Sequence, residues 1–158
     1  MQARLNYYPQ IPQAFEKLVD LGKVLETATL DKTIQELVKI RSSQINNCGF
    51  CVDMHIKEAK IHGERDLRLH HIAIWHESPL FTAKEKAALE WTEAVTKLSQ
   101  NTISDELYAR TREFFSEKEI TELTLAIAII NAWNRFGATF KSVPGSLDKV
   151  YGLDKAGL

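Results

Sequence analysis

Cys48 and Cys51 are the only cysteines of the sequence. They lie three apart in Asn47-Cys48-Gly49-Phe50-Cys51-Val52-Asp53-Met54-His55, and His55 follows the second by four residues. Two thiols at this spacing can pass between dithiol and disulfide, and an imidazole within reach can carry the proton that the exchange moves. The stretch from Val52 to Ile61 contains no Gly or Pro and reads as a helix, with Asn46 or Asn47 as its N-cap. The cysteines then occupy the first turn. Free backbone N–H groups and the positive end of the macrodipole favour a thiolate there, which predicts a Cys51 thiol below the ordinary range. Positions four apart share a helix face, so His55 stands beside Cys51.

Three chemistries suit the pattern: two small core residues next to a surface histidine, a metal site, and thiol redox. Zinc requires four ligands. His62 lies two turns beyond His55 on the same helix, and nothing in the sequence fixes His70, His71 or His76 near the pair, so no metal set is completed. The helix-start position and the histidine at i+4 favour redox chemistry. By pattern alone Glu36 is a solvated carboxylate, lying off the stripe of Ile34, Leu37 and Val38. His70, His71 and His76 read as structural or surface residues, and Trp75, Trp91 and Trp133 as core.

The chain of 158 residues is expected to form one domain, 1–158, with 44% hydrophobic and 26% charged residues and a formal net charge of -1. No basic run or patch suggests nucleic acid. No segment has the length of a membrane span, and the first residues lack the apolar core of a secretory signal, so a cytoplasmic protein without membrane contact is expected. Helical periodicity runs almost end to end and predicts an all-α fold of about seven helices, with the CxxC at the start of a central one. The helices expected are Ile11 to about Ala28, a second through Ile34 to Ile45, and a third from the motif to a C-cap at Gly63. Next come Asp66 to about His76, a helix opened by the Thr82–Glu85 capping box, one from Ser104 to about Phe115, and one opened by the Ser116–Glu119 box. The last, apolar on every side from Leu123 to Ile130, must be buried in the domain or at a subunit interface. The segment with Pro144-Gly145 and Gly152 reads as irregular.

Glu36, then Cys48-Gly49-Phe50-Cys51, then His55 resembles the active-site signature of the alkyl hydroperoxidase D-like proteins of the carboxymuconolactone decarboxylase superfamily. Trp75-His76-Glu77-Ser78-Pro79-Leu80-Phe81-Thr82, Glu85 to Ala94, and Ile130-Asn131-Ala132-Trp133-Asn134-Arg135-Phe136 are similar to the short members of that family, so the likeness extends over about residues 10 to 140. The resemblance implies an all-α antioxidant peroxidase that assembles into trimers or hexamers and binds no cofactor. It takes electrons from an external dithiol of lipoyl type, on a reductant protein or a small thiol, and acts on a hydroperoxide. Cys51 would be the peroxidatic thiolate, Cys48 the resolving thiol, and His55 with Glu36 a proton relay. The better-studied members carry a histidine where this chain has Phe50. Phe50 shortens the relay and is expected to wall an apolar pocket for an organic hydroperoxide. The alternatives are a general thiol-disulfide oxidoreductase and a redox-responsive oligomeric binding protein.

Overall fold

The structure is a computed structural model that describes residues 2–100 and 102–157. These residues form eight α-helices and short 3-10 turns, with no strand among them: α1 Pro12–Lys23, α2 Lys32–Ile45, α3 Gly49–Ile61, α4 Asp66–His71, α5 Ala83–Thr96, α6 Asp105–Arg112, α7 Glu117–Thr139 and α8 Asp148–Tyr151. Local signals set most of the starts. Asp31 caps α2 by accepting from the Thr33 N–H at 2.8 Å and the Ile34 N–H at 3.3 Å. The capping boxes at Thr82/Glu85 and Ser116/Glu119 are both closed. At its end α3 turns through Gly63, whose φ of +93° is a conformation that glycine adopts without strain.

Helix α2 is the central element, packed against α3, α5 and α7. It is apolar on two sides. Ile34 and Val38 pack with Trp91, Leu123 and Ile127, and Leu37 and Ile40 join Leu69, Ile72, Trp75, Phe81 and Leu89. Fully burying one such aliphatic side chain contributes about 1.5–3 kcal/mol. Polar pins fix the angles between helices. Glu93 of α5 accepts from the Arg41 Nε of α2 and from the Trp75 Nε1, each at 2.8 Å. Arg68 of α4 donates to Glu64 at 2.9 Å, to Glu85 of the capping box at 2.6 Å and to the Leu80 carbonyl.

Four expectations are corrected. The first helix stops at Lys23 and tightens into a 3-10 turn, Val24–Thr27, that buries Leu25. The fourth stops at His71 and continues as the 3-10 turn Ile72–Ile74. The change of pitch buries Ile72 and Trp75 while leaving Leu67 and Ile74 each 55% exposed. Through its middle, helix α7 is buried or half-buried within the chain except for a strip of Thr121, Ala128 and Arg135 at seven-residue intervals, which narrows its expected burial in the domain and leaves that strip to the subunit-interface alternative. The segment expected to be irregular carries α8 and a 3-10 turn, Leu153–Ala156, that packs against α3. No helix among the described residues is long and apolar enough to cross a membrane.

Candidate active site

Helix α2 hands the chain to α3 through three residues. Asn46 closes α2, Asn47 turns at φ +53°, a left-handed conformation that asparagine tolerates, and Cys48 occupies the N-cap of α3. The expected asparagine cap is therefore wrong by one or two residues. The Asn46 side chain reaches α7 instead, donating to the Oδ1 atoms of Asn131 and Asn134, both at 2.9 Å. Cys51 lies one turn into α3, and both cysteines are free thiols, 1% and 4% exposed. Gly137 of α7 makes room for them. A Cβ there would sit 2.7 Å from the Cys48 Sγ and 3.3 Å from the Cys51 Sγ.

The two thiols ionise as a pair. The Cys51 S–H hydrogen-bonds to the Cys48 sulfur, and against the effect of burial this bond, aided by the Cys51 backbone N–H, brings the Cys48 thiol down to about 7. The same hydrogen bond, with burial, pushes the Cys51 thiol up. The lowering expected of a motif thiol is found on Cys48, while burial and its neighbour hold Cys51 up.

Cys51 and Phe50 line a cavity of about 560 Å³, and Cys48 lies behind them. Most of the wall is apolar or aromatic: Leu18 and Val19 of α1, Met54 of α3, Ile129, Ile130 and Trp133 of α7. Phe50 packs with Trp133 on the cluster of Cys48, Cys51 and Ile130. Trp133 is thus a cavity wall as well as a core residue, and it stacks on Phe15 with ring centroids 5.7 Å apart. Leu147 and Tyr151 close the far side. They are held there by Lys57, which is buried between Asp53 at 2.8 Å and Asp148 at 2.7 Å, while the Gly145 N–H donates to Asp53 at 2.9 Å. Although burial opposes it, the two carboxylates raise the Lys57 ammonium above its ordinary value.

His55 and Glu36 both face this cavity, in different pairs. The His55 Nδ1 donates to Glu58 Oε2 at 2.8 Å, leaving Nε2 as the free ring nitrogen. Burial raises Glu58, yet its hydrogen bond to His55 and the charges of His55, Lys39 and His62 hold it down to about 2. Glu36 is buried, contrary to its reading as a solvated carboxylate, and it hydrogen-bonds to Nδ1 of His62, a side chain 57% exposed. The acid in contact with His55 is therefore Glu58. Its signal was present in the sequence, as the i+3 position on the same helix. His62 and Tyr7, which also line the cavity, carried no local signal. His71 bonds Ser78 and His76 stacks on Trp75, both structural contacts. Among the described residues no three His, Cys, Asp or Glu side chains converge on a metal position.

Comparison with known proteins places this architecture. An uncharacterised Bacillus subtilis protein, YdfG, is 38% identical over 135 residues, 85% of this chain and 92% of its own. A protein of unknown function from Agrobacterium tumefaciens, described as a candidate antioxidant defence protein AhpD, superposes with a TM-score of 0.87 at 37% identity, over 90% of this chain and 98% of that one. An uncharacterised peroxidase-related protein from Ralstonia eutropha with an alkylhydroperoxidase AhpD core shares the fold, with a TM-score of 0.78 at 20% identity over 88% of this chain and 74% of that one. Residues 12–94, from α1 through most of α5 and including the whole CxxC turn, match the carboxymuconolactone decarboxylase family, and this chain belongs to that family.

Proposed function

We propose that the protein is a cysteine-based peroxidase that reduces organic hydroperoxides. The observation that carries this reading is the position of Cys51 on an apolar cavity with Cys48 hydrogen-bonded behind it. Before attack, the proton on Cys51 passes to Cys48, which moves the negative charge to the sulfur that faces the cavity. The Cys51 thiolate attacks the nearer peroxide oxygen, forms an S–O bond and breaks the O–O bond. The leaving alkoxide takes a proton and departs as alcohol, leaving a sulfenic acid. Cys48 then attacks that sulfur and expels water, and the pair becomes a disulfide. An external dithiol reduces it and leaves as its own disulfide. Both sulfurs are nearly inaccessible, so the reductant reaches them on a slender arm down the cavity, which suits a dithiol of lipoyl type better than a folded protein surface.

His55 supplies the proton for the leaving oxygen through Nε2, with Glu58 orienting the ring. Glu36 with His62 forms a second carboxylate–imidazole couple at the solvent side, suited to returning that proton from water. His55→Gln is expected to slow the peroxide reaction at neutral pH by about 10²-fold, and Glu58→Gln to slow it less. Stopped-flow intrinsic fluorescence reads the rate, and unchanged rates in both would take the relay out of the mechanism. The protein acts in the cytoplasm as a homo-oligomer, trimer or hexamer. In support, the chain up to Val24 exposes Leu5, Tyr8, Ile11, Val19, Leu21 and Val24, apolar surface that a second copy would cover. The deciding experiment is consumption of an organic hydroperoxide by reduced protein with dithiothreitol or a dihydrolipoyl compound. Activity is expected in the wild type and lost in Cys51→Ser, and equal rates with and without Cys51 would reject the enzyme.

A further inference from the structure

Asn134 of α7 is 0% exposed and comes from a helix that carries no other part of the motif. Its amide is locked from two sides. Oδ1 accepts from Asn46 Nδ2 at 2.9 Å, and Nδ2 donates to the Ser43 Oγ at 3.0 Å. The Ser43 hydroxyl proton is itself committed to the Lys39 carbonyl at 2.7 Å, so its oxygen can only accept from Asn134. This fixes which end of the amide is nitrogen and leaves one N–H unassigned. One turn along the same helix stands Gly137, where an added Cβ would meet both sulfurs. Behind Asn46 lies a cation, since Arg135 Nη1 donates to the Asn46 Oδ1 at 2.9 Å.

We infer that Asn134 is the thiolate-holding residue of the dithiol. It lies between Ile130, which packs on both cysteines, and Gly137, where an added Cβ would meet both sulfurs, so its remaining N–H is the donor that this face of α7 offers the pair, with Asn46 and Arg135 behind it. In the chain Arg135, Asn46, Asn134, sulfur, each donor bonds to the group whose own N–H is the next donor, the arrangement in which hydrogen bonds strengthen one another. Hydrogen bonding from Asn134 lowers both Cys48 and Cys51, in keeping with this geometry. The ionisable groups facing the same cavity, besides Cys51, are His55 and Glu58 of α3 with His62 at its end, Lys32, Glu36 and Lys39 of α2, Tyr7 and Tyr8 ahead of α1, Lys23 of α1 with Glu26 after it, and Tyr151 of α8. Asn134 differs from them all in carrying no charge of its own, so its donation is constant across the range in which they titrate. The inference gives a second, constant support to the thiolate in a motif where Phe50 cannot donate.

The inference rests on the reading of the pair as a redox dithiol, and its test uses no peroxide. Thiolate absorbance at 240 nm is followed against pH in reduced protein. The wild-type midpoint is expected near 7. Asn134→Leu keeps a similar volume and removes the donor without adding a charge, and it is expected to raise the midpoint by ~1 pH unit or more, with Asn134→Ala also raising it by ~1. A midpoint unmoved in folded Asn134→Leu overturns the inference and leaves Asn134 a packing residue. If neither variant folds, Arg135→Gln, on the surface, decides: a smaller rise supports the chain of donors, and none refutes it. A midpoint shift without peroxide turnover would reject the peroxidase and keep Asn134. Intact turnover with no shift would do the reverse.

Discussion

Cys48→Ser should consume a single equivalent of organic hydroperoxide and then stop, with Cys51 left as a sulfenic acid that dimedone traps. The expectation follows from the asymmetry of the pair. Cys51 lines the cavity and Cys48 does not, so only Cys51 meets the peroxide and only Cys48 can resolve what forms there. The serine oxygen cannot complete a disulfide, so turnover with dithiol should fall towards the uncatalysed rate. The pH dependence of that single turnover should change as well, because Cys48 raises the Cys51 thiol through its hydrogen bond and its charge. Its loss relieves that part of the rise and leaves burial as the main opposition to the Cys51 thiolate, countered by Asn134. Mass spectrometry after a one-equivalent peroxide pulse shows the outcome. A dimedone adduct on neither cysteine of the single variants would remove the sulfenic intermediate.

Gly137→Ala should impair both stability and thiol chemistry, although alanine is ordinarily the better helix former by about 1 kcal/mol. Its methyl would lie 2.7 Å from one sulfur and 3.3 Å from the other, inside contact distance of short, buried side chains with no free end to swing away. Overpacking of a filled interior costs about 1–3 kcal/mol. The net loss of up to about 2 kcal/mol corresponds to a fall of several degrees in melting temperature for a chain of this size. The separation of α7 from α3 that relieves the clash also loosens the hydrogen bond between the sulfurs, so disulfide formation should slow. Gly22→Ala on α1 is the control: a Cβ there meets nothing within 4 Å, and the same substitution should raise stability slightly. Thermal melts of the two variants, reduced, give the comparison, and equal shifts would show that the sulfurs are not in contact with α7.

The helices were legible where their signals are local. Asp31, Thr82 and Ser116 satisfy the N–H groups two or three residues ahead, and such caps need no tertiary partner. The sequence misled where a tertiary contact won. Asn46 is a good cap by type, but its side chain bonds α7, and Cys48 is left at the start of α3. Glu36 reads as solvated because the stripe of Ile34 and Val38 faces the other way, and only the second apolar side of α2 and the approach of His62 bury it. The order of the two thiol ionisations depends on which S–H donates, a choice of side-chain rotamer that no spacing encodes. The cavity was least legible of all, since α1, α3, α7 and α8 each supply part of its wall and no one stretch of sequence shows it.

The clamp at Lys57 divides the labour of the chain. The reacting sulfurs, His55 and Glu58 all come from residues 48–58 within the family match, whereas Leu147 and Tyr151, which shape the far wall, come from outside it. The two stretches are joined by one buried ammonium and two carboxylates, together with the Gly145 N–H. Substitutions beyond that joint can reshape the chamber without touching the dithiol. An experimenter could redesign the cavity by grafting residues 143–156 from a relative, retaining Asp148, which in that stretch is the residue paired with Lys57.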